Sequence, residues 1–175
     1  MAAARFGYDM IRSADTPVTA IEPGSAATLT AKATERARVA LTVTSLVSRR
    51  PAISPDSNAS IERLAEGRCV LGIGASNSGT RNLGMRNSNL KETERGIRQI
   101  KMLLAGEPVT LEDGGTAHIP RAAQAEAPKV FLAGSGPKTL ALAGAVADGA
   151  FVNYGITADT MAQSIGRVQI GRAHV

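Results

Sequence analysis

The sequence contains no tryptophan, and aromatic side chains make up only 3% of its 175 residues. Since 43% of the residues are hydrophobic, the chain can bury the core of one domain, and that core must consist of Ala, Leu, Ile and Val. No apolar run is long enough to cross a membrane, and no signal-peptide pattern precedes Arg5. These absences predict a soluble protein without a membrane partner, built from helices packed on a parallel sheet.

Cysteine is nearly absent, and basic residues are not clustered. The single cysteine, Cys69, excludes an intramolecular disulfide and favours a reducing cytoplasm as the location. Because no base adjoins Cys69 in the sequence, a buried apolar role is favoured over a nucleophilic one. The formal net charge is +5, but only Arg49 and Arg50 are adjacent basic residues. Without aromatic platforms or a recognition-helix motif, a small anionic ligand fits this charge better than a nucleic acid.

Segments typical of strands alternate with helical segments along the chain. The predicted strands are residues 5–9, 38–44, 68–74, 129–133 and 149–153, and the predicted helices are residues 25–34, 54–66, 89–105, 137–147 and 157–168. Ser54 is predicted to cap the second helix, and Asn89 with Glu92 to form a capping box on the third. This alternation predicts a parallel sheet with right-handed crossovers. Residues 107–128, with a turn at 113–115, interrupt it and predict an insertion or a short hairpin.

The chain is organised around the apolar run from Arg68 to Ala75. A run without polar alternation is typical of a central parallel strand that is buried on both faces. The polar residues 76–82 follow it at the carboxyl end, where α/β proteins bind their ligands. Glycine pairs at 72 and 74 and at 134 and 136 lack the third glycine of a dinucleotide fingerprint. A barrel whose loops share one site is therefore favoured over a Rossmann domain.

Gly136 and Pro137 begin a predicted helix whose free N–H groups and positive dipole end suit a phosphate. A plain turn would also require Gly and Pro at these positions. Asn153-Tyr154-Gly155 ends the next strand and would lie beside that phosphate, although an ordinary polar loop explains the segment equally well.

Several stretches resemble the luciferase-like flavin and deazaflavin oxidoreductases, and most closely their methylenetetrahydromethanopterin reductase-like branch. The matching stretches are residues 36–44, Arg49-Arg50-Pro51-Ala52, residues 67–74, residues 81–84, Ser135-Gly136-Pro137-Lys138-Thr139-Leu140 and Val146-Ala147-Asp148-Gly149. The resemblance implies a (β/α)8 barrel that binds FMN or coenzyme F-420 and transfers a hydride to or from a small organic substrate. It also implies a homo-oligomer when the protein is full length.

The resemblance further implies a cofactor site and a non-prolyl cis peptide near Thr42 and Val43. The implied cofactor-binding residues are Thr42, Val43, Thr44, Gly74, Ala75, Ser76, Asn77, Gly134, Ser135, Gly136, Pro137, Asn153, Tyr154 and Gly155. No carboxylate has a sequence context that singles it out as a catalytic acid or base.

The barrel is expected to be incomplete, because a full (β/α)8 chain needs roughly 250 residues. Residues 1–169 would form a partial barrel domain, about strands two to six, that is unstable alone, binds cofactor poorly and is inactive. Residues 170–175 back-translate to ATC-GGA-AGA-GCA-CAC-GTC, which resembles a common sequencing-library adapter. If they are read-through, His174 is not native and His118 is the only histidine, so no histidine metal site is expected.

Two functions therefore remain open. The first is a flavin- or deazaflavin-dependent oxidoreductase. The second is a non-catalytic cofactor-binding or interaction module, which includes an inactive truncated piece. A bound, yellow and reducible chromophore would favour the first.

Overall fold

Strands and helices alternate along residues 6–124, 126–153 and 155–173, which the computed structural model describes. The strands are β1 (Met10–Ser13), β2 (Arg38–Ser45), β3 (Cys69–Gly74), β4 (Val109–Thr110), β5 (Thr116–Ala117), β6 (Lys129–Gly134) and β7 (Gly149–Val152). The helices are α1 (Pro23–Ala33), α2 (Ile53–Ala65), α3 (Ser78–Arg81), α4 (Leu90–Leu104), α5 (Pro137–Val146) and α6 (Ala158–Arg172), with a 3-10 helix at Pro120–Gln124.

Five strands form one sheet in the order β1-β2-β3-β6-β7, and every neighbouring pair is parallel. Each connection between neighbouring strands contains a helix, as parallel pairing requires. β1 and β7 lie at the two sides of the sheet, so the sheet is an open half-barrel. The predicted incomplete (β/α) barrel is thereby confirmed.

The apolar core lies between one face of this sheet and the helices. Leu71 and Ile73 of β3 and Leu132 of β6 are fully buried there, together with Ile97 and Ile100 of α4. The predicted core of small aliphatic side chains is therefore confirmed, and it holds the strands in a fixed register beneath the loops at their carboxyl ends.

The opposite face, here called the inner face, carries Gly72 and Gly149 beside two aromatic rings. A β-carbon at Gly72 would lie 1.9 Å from Thr42 Oγ1 and 3.0 Å from the ring of Phe151. One at Gly149 would lie 2.7 Å from the ring of Phe131. The two rings pack at a centroid distance of 5.1 Å. Glycine is thus required on this face because larger side chains of neighbouring strands occupy the space beside it.

The first strand begins later than the sequence predicts. β1 spans Met10–Ser13, whereas residues 6–9 turn before it and Arg5 lies outside the described residues. The pairing explains the shift: Met10 is opposite Arg38, where β2 begins, so residues before Met10 have no strand beside them. Phe6 and Tyr8, which lie in the predicted strand 5–9, are 78% and 63% exposed.

Two helix starts also differ from the prediction. α2 begins at Ile53 after Ala52, so Ser54 lies inside the first turn, where it is buried and caps nothing. α1 begins at Pro23, and the carboxylate of Glu22 caps it by accepting the N–H of Ser25 at 2.7 Å. Ser54 does not cap α2 because it is buried within the first turn. The start of α1 was missed because glutamate is not among the residues preferred as helix caps.

Two other local predictions are confirmed. Asn89 and Glu92 form the expected capping box at the start of α4. β4 and β5 pair antiparallel as a hairpin outside the main sheet, around the turn at 113–115.

Cys69 is buried, as predicted, but it is not in purely apolar surroundings. Its Sγ donates to Asn58 Oδ1 at 3.3 Å, and its backbone N–H donates to the buried Glu62 at 2.9 Å. Burial, reinforced by the charge of Glu62, raises the pKa of the thiol to about 12. A thiol with such a pKa is a poor nucleophile, so the structural role is the one that its environment supports.

The last helix packs closely on α5. A β-carbon at Gly144 would lie 1.9 Å from the carbonyl oxygen of Val168, and one at Gly171 would lie 1.8 Å from that of Ala141. α6 continues through Arg172, so Gly171 lies in its last turn. His174 lies outside the described residues. The origin of residues 170–175 stays a prediction. Within the part of the chain that the structure describes, no helix has the length and apolarity needed to cross a membrane.

Candidate functional site

The predicted site residues that the structure describes lie at or beside the carboxyl edge of the parallel sheet. Ser45 is opposite Gly74, and Gly134 is opposite Val152, so the ends of β2 and β3 and those of β6 and β7 adjoin. A β-carbon at Gly74 would lie 2.5 Å from Val43 and 3.7 Å from the β-carbon of Ala133, which places the ends of β2, β3 and β6 side by side. The fold thus brings together three segments that are far apart in sequence.

A cis peptide bond joins Thr42 and Val43, at the position where the resemblance implies one. Thr42 is 2% exposed and lies on the inner face. Among the described residues its Oγ1 has no hydrogen-bond partner. The hydroxyl of Thr44, by contrast, donates its proton to the carboxylate of Asp15, so it has no proton left to donate to a ligand.

Hydrogen bonds between its own residues stabilise the loop after β3. Ser76 adopts a φ of +68°, and its Oγ accepts the N–H of Thr80 at 3.2 Å. The side chain of Asn77 accepts from Arg81 at 2.7 Å. Ala75 is exposed at the top of the strand. Sequence analysis did not predict the short helix α3, which these contacts hold over the edge of the sheet.

The start of α5 is open to solvent. Residues 135–138 are exposed, and Gly136, at the position before the helix, supplies no side-chain cap for the first N–H groups. A β-carbon at Gly136 would meet nothing within 4 Å, whereas one at Gly134 would lie 2.4 Å from Thr139. Gly134 is therefore required by packing, while the space beside Gly136 is open to a ligand.

This arrangement fits a phosphate. Uncapped N–H groups at a helix start, together with the positive end of the helix dipole, bind anions. Lys138, in the first turn, adds a cation that sequence analysis had not singled out as a site residue. The Ser-Gly-Pro-Lys pattern itself was the signal that could have identified it.

The segment after β7 adjoins this helix start. Asn153 donates its backbone N–H to the carbonyl oxygen of Gly134 at 3.3 Å, so it lies beside the predicted phosphate position. Gly155 has a φ of +66°, a conformation that favours glycine. Tyr154, the third predicted residue of this segment, lies outside the described residues.

Asp15 is a polar residue of this edge that sequence analysis missed. It follows β1, and its side chain is only 1% exposed. Its Oδ2 accepts from Thr44 Oγ1 at 2.5 Å and from Arg49 Nε at 2.8 Å. Its Oδ1 is buried and has no partner among the described residues. Because the first strand was predicted too early, Asp15 was assigned to a loop away from the strand end.

Arg49 joins Asp15 to a second carboxylate. Its Nη2 donates to Glu22 Oε1 at 3.1 Å, while Glu22 caps α1. Burial by itself lowers the pKa of Arg49, but the hydrogen bond and the charge of Asp15 outweigh it, and the pKa is raised. The guanidinium thus connects the loop after β1, the start of α1 and the loop after β2.

A cavity of about 470 Å³ lies beside these strand ends, between the loop after β2, α4 and the hairpin. Its rim carries the ion pairs Arg50–Asp113, Arg95–Glu112 and Arg86–Glu92. Since each arginine there faces a carboxylate, the rim has no charge preference for a ligand. None of the predicted site residues lines this cavity.

Metal ligands are not gathered at this edge. Within residues 6–124, 126–153 and 155–173, no three His, Cys, Asp or Glu side chains are grouped as a metal site would need. A phosphate-bearing organic cofactor, held by glycine backbone and a helix start, is the ligand class that these residues fit.

Comparison with known proteins identifies related sequences. The family model of the luciferase-like monooxygenases matches residues 1–175. The chain is 33% identical over 136 residues to 5,10-methylenetetrahydromethanopterin reductase of Methanolobus tindarius, a match that covers 74% of this chain and 41% of that protein.

Solved structures share the fold. The coenzyme F-420-dependent tetrahydromethanopterin reductase of Methanopyrus kandleri superposes with a TM-score of 0.80 at 19% identity, covering 98% of this chain and 55% of that one. The oxygenating component of 3,6-diketocamphane monooxygenase of Pseudomonas putida, in complex with FMN, gives a TM-score of 0.74 at 18% identity and covers 98% and 54%. The chain spans about half the length of these relatives.

Proposed function

Because the chain belongs to the luciferase-like monooxygenase family, we propose that it is part of an oxidoreductase that transfers a hydride between FMN or coenzyme F-420 and a small organic substrate. One of the solved relatives is an F-420-dependent reductase, and another is a monooxygenase component in complex with FMN. When bound, either cofactor would supply the redox chemistry. The protein would bind it, orient it and exclude water.

The observation that supports this proposal best is the open helix start at Gly136. Its N–H groups would hold the cofactor phosphate, Ser135 would add a hydroxyl donor, and Lys138 would add charge. Asn153 to Gly155 would close the other side. No side chain of the described residues fills the space beside Gly136, so a ligand can approach its backbone closely.

The ends of β2 and β3 would contact the ring system. Val43 and Gly74 adjoin at this edge, and the exposed Ala75 with Ser76 and Asn77 follows. The hydroxyl of Thr42, which has no hydrogen-bond partner within the described part of the chain, lies below them on the inner face. A flat ring resting on this edge would meet backbone groups and small side chains, which suits close approach.

The proposal also covers the cytoplasmic location and the homo-oligomer that the resemblance implies. Because an open half-barrel leaves two strand edges unpaired, the chain by itself would bind the cofactor weakly and would not turn over substrate.

Titration by NMR detects such weak binding and locates it. We expect FMN or F-420 to shift the backbone amides of Ser135, Gly136 and Lys138, together with those of Ala75 and Asn77, in a saturable way. Inorganic phosphate should compete only at the first group. AMP, which carries a phosphate but no flavin-like ring, is the control ligand.

AMP should shift the amides of residues 135–138 but not those of residues 75–77, whereas FMN or F-420 should shift both groups. This pattern supports a site for the whole cofactor. The proposal is contradicted if neither cofactor binds saturably at millimolar concentration. Equal affinity for AMP would show that the ring is not recognised, and would contradict it as well.

A further inference from the structure

We propose that Arg49 is a positioning residue of the cofactor site, acting through Asp15 to hold the end of β2 in place. This inference rests on the proposed function, since it concerns the same edge of the sheet. Neither side chain is assigned a contact with the cofactor. The role is to fix the backbone on which the ring would rest.

The hydrogen bonds at Asp15 are distributed unevenly. Both donors, Thr44 Oγ1 and Arg49 Nε, reach Oδ2, while Oδ1 has no partner among the described residues. A buried carboxylate with one unpaired oxygen is held in place entirely by the donors on its other oxygen. Removing Arg49 would leave Thr44 as the single donor, and turning toward water would then become more favourable for the carboxylate.

Thr44 transmits this change to the strand. Its hydroxyl has one proton, and donating it to Asp15 fixes the side-chain rotamer of a fully buried residue. The register of β2 against β3 shifts between Leu41 and Thr44, and it resumes at Thr44 opposite Ile73 and Ser45 opposite Gly74. The hydrogen bond from Thr44 to Asp15 therefore lies at the position where the pairing of β2 with β3 resumes.

The same arrangement fixes the loop after β3. A β-carbon at Gly79 would lie 2.9 Å from the backbone oxygen of Asp15, and Asn82 donates to the backbone oxygen of Pro17 at 3.1 Å. Residues 15–17 thus contact both the end of β2 and the loop that carries Asn77. Arg49 holds this junction from outside, with a side chain that is only 25% exposed and is braced by Glu22.

The first test needs no ligand. In Arg49→Gln, hydrogen exchange of the Thr44 and Ser45 amides should speed up at least roughly tenfold more than in Ile100→Val. Ile100→Val removes a methylene group from the core of α4 and controls for a general loss of stability. Equal acceleration at these amides in the two variants would overturn the proposal, because Arg49 would then be merely stabilising.

The second test measures cofactor dissociation constants in a double-mutant cycle. Arg49→Gln and Asp15→Asn should each weaken FMN or F-420 binding by roughly tenfold, as loss of a supporting contact behind a ligand site does in metal centres. The double variant should be no weaker than Asp15→Asn alone, because Arg49 acts through Asp15. Arg49→Lys should recover part of the affinity, since it keeps the charge but not the fork. Ile100→Val should bind normally.

Additive losses in the cycle, or an unchanged constant in Arg49→Gln, would overturn the positioning role. Failure of the unmodified chain to bind either cofactor would instead refute the proposed function. In that case the exchange experiment still decides whether Arg49 holds the end of β2.

Discussion

Replacing Gly136 by valine should separate cofactor binding from folding. Gly136 has φ −77° and ψ 150°, a backbone conformation that valine adopts without strain, and its side is open. The variant should therefore fold as well as the unmodified chain. Its isopropyl group would occupy the space through which a phosphate approaches the N–H groups of α5. In the proposed site, the glycine at 136 would therefore serve ligand access rather than backbone conformation.

The size of the effect follows from the bonds that would be lost. A hydrogen bond to a charged group contributes about 1.5–3 kcal/mol. Loss of one such bond weakens binding by about one to two powers of ten. Gly134→Ala should behave in the opposite way, because its β-carbon would overlap Thr139 and lower the free energy of unfolding.

The assay compares FMN with riboflavin, which has the same ring but no phosphate. Gly136→Val should weaken FMN binding by the factor above and leave riboflavin binding nearly unchanged. Gly166→Val is the matched control, because its added side chain also meets nothing within 4 Å, on a different helix. Urea unfolding of each variant shows whether the fold is intact.

Equal weakening of FMN and riboflavin would refute the reasoning, because the substitution would then act on the ring site or on the fold. Unchanged FMN binding would place the phosphate elsewhere, and the loop from Gly74 to Asn77 would become the next position to test.

Three further predictions concern the fold. Burial raises the pKa of Glu62 above its usual value of 4.5, so its contribution to stability is full below that pH and is lost as pH rises through the raised pKa. Between pH 4.5 and neutrality, the free energy of unfolding should therefore fall less in Glu62→Gln than in the unmodified chain. An equal fall in the two proteins, measured by urea unfolding, would contradict this. Cys69, with a thiol pKa of about 12, should react with a disulfide reagent at pH 8 only when urea unfolds the chain, so rapid labelling of the folded protein would show that it is accessible. Gly144→Ala should cost about 1–3 kcal/mol of stability, since its β-carbon would force α5 from the backbone of Val168, and an unchanged thermal midpoint would disprove the contact.

Local sequence signals predicted most elements because they act within a few residues. The capping box at Asn89 and Glu92 satisfies the first N–H groups of α4 from its own first turn, so no distant contact was needed to predict it. The central run at 68–74 was recognisable because both faces of β3 are buried. The first strand was misplaced because its start is set by the pairing of Met10 with Arg38, a distant partner that the local sequence does not show.

The candidate site divides in the same way. The Gly134-Ser135-Gly136 turn could be proposed from sequence because Gly136 and Pro137 begin a helix, although a plain turn uses the same residues. Asp15 was not recognisable, since its importance depends on Arg49, which is 34 residues away along the chain. The open side of Gly136 and the crowded side of Gly134 look identical in sequence, and only the position of Thr139 distinguishes them.

The sequence by itself determined the alternation of strands and helices, the aliphatic core and the family, because each is carried by short patterns of residue type. Only the tertiary structure decided the strand order, the place where β1 begins and the buried network around Asp15. Those features depend on contacts between segments brought together by parallel pairing, and a side chain buried by a distant partner carries no local mark of that burial.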